Sequence, residues 1–230
     1  MRKIYLLIPI LFFFNTLQAQ TNKIKYSVKG GLSLVSVALS GSFVTQNIKN
    51  GVSNVTTFYV GGFAELPISN YFSLQSGLSL SGKGSKSDIT VPQTIPFFGL
   101  IDANYKRETN IMYVEVPLNL LFNYKNFYVG AGPYIAYGVA GYEKVNVTTD
   151  ISGTPFQLLT PKDGNVKFGE NAGEITPYDF GANFLLGYQL KNGFNLGLNY
   201  GLGIGKTNII SGYDVKASNR VFSVLVGYRF

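Results

Sequence analysis

With 230 residues and a net charge of +7, the chain has room for one domain of ordinary size. It contains no Cys, His or Trp, which excludes a disulfide framework, thiol or histidine nucleophile–base pairs and the usual zinc or iron sites. Hydrophobic residues make up 46%, yet no segment of the mature chain approaches the roughly 20 apolar residues of a spanning helix.

The first element is an address. Arg2 and Lys3 open a charged start, Ile4 to Phe14 form an apolar run, and Leu17-Gln18-Ala19 precedes Gln20. This reads as a secretory signal peptide over residues 1–19, leaving 20–230 as a single mature domain. The apolar run is too short for an anchor helix, and no Cys follows it to carry a lipid. Removing residues 1–19 deletes two cations and no acid, so the charge falls from +7 to +5.

From there apolar residues recur with a period of two, the signature of strands. Eight segments are expected near Lys25–Val35, Thr57–Leu66, Tyr71–Ser81, Ile111–Tyr124, Phe127–Gly141, Tyr178–Leu190, Phe194–Gly205 and Val221–Phe230. The seventh is the clearest: Phe194, Leu196, Leu198, Tyr200, Leu202 and Ile204 share one face, while Asn195, Gly197, Asn199 and three glycines share the other. Connectors alternate in length. Short ones lie at Pro67, Lys125-Asn126 and Lys191-Asn192-Gly193; long ones lie near Ala38–Thr56, Gly82–Asn110, Tyr142–Pro177 and Lys206–Ser218. An even strand count with this asymmetry predicts an all-β fold. It is an eight-stranded antiparallel up-and-down transmembrane β-barrel with short periplasmic turns and long extracellular loops. Lipid offers no hydrogen bonds, so the sheet must close on itself.

The alternation sends Lys29, Tyr59, Glu65, Glu115, Tyr113, Tyr128, Tyr134, Asp179, Asn183, Asn199 and Arg229, among others, into the lumen. Eight strands leave an interior that side chains fill, with the tyrosines expected to face glycines of the fifth and seventh strands. Lys29, Glu65, Glu115 and Arg229 are the charges best placed to point inward, and buried charges need partners. They are expected to form a lumen charge network. Glu65 and Glu115 as paired catalytic acids is the weaker reading, since two cations balance them. Pro117 and Pro133 fall inside strands of a sheet without an edge. With Lys125-Asn126 as the turn, Pro117 faces Tyr134 and Leu118 faces Pro133, so a bulge or missing ladder bonds are expected there.

The long connectors carry Lys49, Lys83, Lys86, Lys106, Arg107, Lys162, Lys167, Lys206 and Lys216. They are suited either to an anionic lipopolysaccharide surface or simply to solvent. Asp163-Gly164-Asn165 offers a weak carboxylate site for Ca²⁺, though a plain turn accounts for it better. No cofactor is expected, and neither the signal peptide nor the lipid-facing strands suits nucleic acid.

Tyr113-Val114-Glu115-Val116-Pro117-Leu118 followed by Val129-Gly130-Ala131-Gly132-Pro133-Tyr134 resembles the PorT-like outer-membrane β-barrel family of Bacteroidetes-type bacteria. The opening Tyr26 to Ser33 and the closing Val226-Gly227-Tyr228-Arg229-Phe230 are similar too. The resemblance implies insertion in the outer membrane by the barrel-assembly machinery, with Tyr228 and Phe230 as the C-terminal signal it reads. One founding member of that family is linked to a protein secretion system. The expected role is non-enzymatic, structural or interactive, through the extracellular loops. A narrow porin-like channel and an accessory factor of a secretion system, with an extracellular or secretion-system protein partner, are the alternatives. Mature protein is expected to begin at Gln20 and to fractionate with outer membrane. N-terminal mass spectrometry checks this, and an intact Met1 in inner membrane would refute it.

Overall fold

The computed structural model describes residues 24–41, 51–95, 99–151, 154–169, 174–204, 207–208 and 216–230. The expected signal peptide with its Ala19-Gln20 junction, Lys49 and Lys206 lie outside the described residues. Period-two alternation becomes strand throughout: β1 (Lys25–Ser40), β2 (Val52–Ser53), β3 (Val55–Pro67), β4 (Phe72–Ile95), β5 (Gly99–Tyr124), β6 (Phe127–Ile151), β7 (Thr154–Asn165), β8 (Tyr178–Gln189), β9 (Phe194–Gly203), β10 (Thr207–Asn208) and β11 (Lys216–Arg229). Eight of them form the wall in the order β1-β3-β4-β5-β6-β8-β9-β11, and β1 pairs with β11 to close the ring. The remaining β2, β7 and β10 pair with β4, β6 and β11 respectively. All ladders are antiparallel, and the seam runs from Ser27↔Arg229 to Ser40↔Lys216. The Phe230 amide extends it by donating to the Tyr26 carbonyl at 2.9 Å.

Three short turns gather at one end. Between β3 and β4, the Ser69 hydroxyl accepts from the Phe72 amide at 3.1 Å. Between β5 and β6 the chain reverses over Lys125-Asn126, with Lys125 at φ 53°, a region that non-glycine residues seldom use. Between β8 and β9, Gly193 takes φ 91°, as the Lys191-Asn192-Gly193 spacing requires. The two faces of the wall separate cleanly. Leu32, Phe58, Leu78, Leu118, Ile135, Phe180, Leu198 and Val224 are exposed on the outside, and the expected lumen residues named above are buried apart from Arg229, which is half-buried. Apolar outside and polar inside is the reverse of a soluble barrel, and only lipid covers such an outer face.

Aromatic rings mark the edges of that face. Phe127–Tyr188 and Phe194–Tyr228 pair at 4.7 and 5.2 Å near the short turns, and Tyr137–Tyr178 pair at 5.2 Å farther up. On β6 ten residue steps separate Phe127 from Tyr137. At about 3.3 Å per residue and about 40° of tilt they span about 25 Å, the height of an outer-membrane barrel's apolar band.

The prolines interrupt the ladder where expected. Pro117 pairs with Tyr134 and Leu120 with Ala131, with no pairing recorded between them at Leu118 and Asn119. The Pro117 carbonyl accepts instead from the Ser76 hydroxyl at 2.8 Å. A register shift between Met112 and Tyr113 adds one irregularity higher up.

Two expectations need correction. Gly82–Asn110 and Tyr142–Pro177 are not simple loops. β4 and β5 stay in one register from Phe72↔Phe122 to Ile95↔Gly99, and β6 runs fourteen residues beyond Tyr137, pairing with β7 from Tyr142 to Ile151. Asp163-Gly164-Asn165 is neither a turn nor a cation loop, since it lies in β7 opposite Lys144, Glu143 and Tyr142. Ladder bonds satisfy the backbone of these extensions, which the sequence marks by no apolar face. Leu198 lies mid-strand with an exposed side chain between Leu186 and Val224. Leu198→Arg is expected to cost about 2–4 kcal/mol in a denaturant titration in lipid if the site is near the midplane. Asn199→Arg, pointing inward, is expected to act through crowding and charge instead.

Candidate functional site

The lumen is organised in levels. The middle level rests on Lys83 of β4, which the two-residue alternation carries inward with Gln75, Ser79 and Ser81. Its ammonium donates to Glu115 Oε2 at 3.0 Å and to Asp179 Oδ2 at 2.8 Å, with all three side chains no more than 5% exposed. Asp179 Oδ2 also accepts from the Tyr134 hydroxyl at 3.3 Å and from Asn219 Nδ2 at 3.1 Å. The ammonium lies 4.5 Å from the Tyr134 ring centre and 5.1 Å from that of Tyr113, geometry suited to cation–π attraction. A carboxylate pair on one ammonium, with further donors on the second acid, satisfies the pairing demand of buried charge. The void left at this level, lined by Tyr59, Ser81, Lys83, Glu115 and Tyr134 among others, measures about 10 Å³. One water needs about that much.

Above it sits an apolar cap. Val166, Phe168 and Ile175 pack on Ile111, Tyr113, Tyr134 and Ala136. Gly138 and Gly141 of β6 make the space, since a Cβ on either would lie 2.8 Å from the Phe168 ring or 2.9 Å from Val166. The Val166 amide donates to the Gly141 carbonyl at 2.9 Å, and the Gly138 amide donates to the Pro177 carbonyl at 2.7 Å.

Below lies an open vestibule of about 700 Å³, facing the short-turn end. Lys29, Glu65 and Arg229 belong here, away from Glu115. Lys29 is 6% exposed, with its ammonium 5.2 and 5.1 Å from the Phe63 and Tyr128 ring centres. Glu65 Oε1 accepts from the Ser73 hydroxyl at 2.8 Å. The four charges expected as one network therefore fall into two groups, and among the described residues the buried ion pairs join Lys83 to Glu115 and to Asp179, with neither Lys29 nor Arg229 taking part. Lys83, expected in a loop, was the missed centre. The signal was its parity with Ser79 and Ser81; Gly82 and Gly84, lacking outward side chains, hide the strand's continuation.

Beyond the membrane band the extended sheet carries charge ladders. Lys86 meets Glu108 at 3.3 Å and Lys106 meets Asp88 at 3.1 Å, directly opposite across β4 and β5. Arg107 pairs with Glu143. A hydrogen bond from the Asn110 amide, with help from Lys86, holds the Glu108 carboxyl below its ordinary range. Tyr228 and Phe230 meet edge to face at 5.3 Å at the seam, with Phe230 exposed.

The family model of the outer membrane protein beta-barrel domain matches residues 18–208. No curated protein matches the chain. Among solved structures it is similar to Ail, the attachment invasion locus protein of Yersinia pestis, at 14% identity over 90% of this chain and 99% of that one, with a TM-score of 0.37. It is also similar to Neisserial surface protein A, at 14% identity, 89% and 97% coverage and a TM-score of 0.38. A third is OprG of Pseudomonas aeruginosa, at 13% identity, 91% and 97% coverage and a TM-score of 0.34.

Lys83→Met leaves two carboxylates without their cation and is expected to cost about 3–5 kcal/mol. Lys86→Met, at a half-exposed pair, is expected to cost no more than about 1 kcal/mol. Urea titrations of the two variants in lipid check the contrast, and equal effects would remove Lys83 from the centre of the lumen.

Proposed function

Because the chain belongs to the family of outer membrane protein β-barrel domains and is an integral outer-membrane protein, we propose that it is a non-enzymatic barrel with a closed lumen that works through the sheet it raises outside the cell. The observation that carries this reading is the contrast along the axis. The middle of the lumen holds a void of about 10 Å³ beneath an apolar cap, whereas β4, β5 and β6 continue far past the upper aromatic ring. Fourteen residues of β6 beyond Tyr137 amount to about 45 Å of strand at about 3.3 Å each. A wall that long has no use in a channel that is shut beneath it, and it presents hydrogen-bonded backbone and paired charges to a partner. Lipopolysaccharide at the lysines of this sheet, and recognition of Tyr228 and Phe230 by the barrel-assembly machinery, are partners in keeping with the arrangement.

The likeness of Tyr113–Leu118 and Val129–Tyr134 to PorT-like barrels favours one second reading, an accessory role in protein secretion. Those segments are the strands that carry both Glu115 and the prolines, so they belong to the wall and not to the outer sheet. Co-purification of secretion components with the mature protein tests it.

Purified barrels in planar bilayers are expected to give conductance near background. Shortening the hairpin by removing residues 88–106 is expected to leave folding intact and to reproduce the envelope phenotype of a full deletion strain. A stable, open, ion-selective current through the wild type would overturn the closed-lumen reading, and full function of the shortened chain would overturn the role of the sheet.

A further inference from the structure

The vestibule is the large cavity that the outer sheet does not explain. At about 700 Å³ it lies within the range of roughly 300–1,000 Å³ typical of small-molecule sites. It opens between the short turns, and so toward the periplasm. Its walls carry Lys25, Lys29, Lys125, Lys191 and Arg229 against a single acid, Glu65, leaving four positive charges around one space. Lys25, Lys125 and Lys191 are exposed at the rim, where they draw anions in without being costly to keep charged.

Lys29 at the roof is different. It is more than nine-tenths buried and lines the cavity, and no carboxylate oxygen lies within ion-pair distance among the described residues; the two rings of Phe63 and Tyr128 are its neighbours. Glu65, the nearest candidate, is turned to the Ser73 hydroxyl. Two further groups in the same wall are incomplete. Gln75 Oε1 and Asn195 Oδ1 are buried, without a hydrogen-bond partner among the described residues, and both residues line the cavity. A buried cation asks for an anion, and buried carbonyl oxygens ask for donors. One ligand chemistry meets both needs. A phosphate group brings up to about two negative charges in a small volume, and hydroxyls beside it donate to the amide oxygens.

We propose that the vestibule binds a hydroxyl-bearing phosphate, of the glycerol phosphate type, entering from the periplasm, with Lys29 as the cation that receives the phosphate. That group occurs both as a soluble phosphomonoester and as the headgroup of phosphatidylglycerol in the membrane around the barrel.

The test uses the mature barrel in neutral detergent. Titration calorimetry with glycerol 3-phosphate reads the soluble source, and native mass spectrometry after exposure to phosphatidylglycerol reads the lipid source. Binding of either supports the proposal and names the source. Lys29→Met keeps an apolar stem between Phe63 and Tyr128 and is expected to weaken binding at least tenfold. Lys25→Gln with Lys191→Gln, both on exposed rim positions, is expected to weaken it several-fold and decides the matter should the Lys29 variant not fold. Lys86→Gln on the outer sheet is expected to change nothing. Absence of binding of both probes to the wild type, binding unchanged in the vestibule variants, or tighter binding of succinate than of glycerol 3-phosphate would overturn it.

Discussion

An open strand edge in lipid leaves amides and carbonyls that nothing can satisfy, and the last strand of this chain removes that edge by pairing with the first. The seam between β1 and β11 fixes more than closure. It sets Lys29 opposite Gly227 and Leu32 opposite Val224, so that one cation faces the lumen and one apolar pair faces lipid. A slip of one residue along this seam would reverse every side chain on β1, placing Lys29 in hydrocarbon and Leu32 among polar groups. The buried contact between the Ser33 and Ser223 hydroxyls at 2.8 Å sits on the inward side of the same ladder. Closure, register and the polarity of the two faces are thus a single constraint, met or lost together.

Within a ring of eight strands the inward side chains must share little space. Large residues on some strands therefore require small ones on others. The Tyr128 ring lies where a Cβ on Gly187 would meet it at 2.2 Å and one on Gly197 at 3.0 Å. The glycines that accommodate it are on β8 and β9, and not on the tyrosine's own strand. The same economy explains why the lumen holds so many Ser and Asn side chains. They are short, and they offer hydrogen-bonding groups to neighbours that would otherwise lose water without replacement.

Much of this was legible in the sequence, because a barrel wall obeys two local rules that leave their mark on residue order. The alternation in Phe194–Gly203 gives strand and face, and Lys125-Asn126 gives the turn from which Pro117 opposite Tyr134 follows by counting. What was not legible depends on contacts between distant strands or on stretches outside lipid. Lys83 and Asp179 are ninety-six residues apart, and nothing local joins them. β4 and β5 above the membrane have no lipid face, so their alternation is silent. The one trace they leave is complementary charge, with Lys86 opposite Glu108 and Asp88 opposite Lys106, a pattern that stabilises cross-strand pairs but shows only once the register is known. Phe168 and Val166 fold inward against glycines of β6, and a segment that packs by tertiary contact carries no period at all.

Among the described residues the charges inside the barrel are balanced in number and unbalanced in position. Lys29, Lys83 and Arg229 stand against Glu65, Glu115 and Asp179. The two acids on Lys83 sit beneath the apolar cap, whereas Lys29 and Arg229 share the open vestibule with Glu65 alone. Negative excess lies at the closed level and positive excess at the open mouth. An anion entering from the periplasm is attracted as far as Lys29; beyond it lie two carboxylates whose single cation is already engaged from both sides. A cation meets the opposite sequence and is repelled at the rim. Because the interior is poorly screened, these fields act over the short distances that separate the levels. The separation of charge along the axis is therefore of a kind that opposes passage in either direction, in line with the proposed closure by tyrosines and by Phe168, and it suits the space below to the anion proposed there.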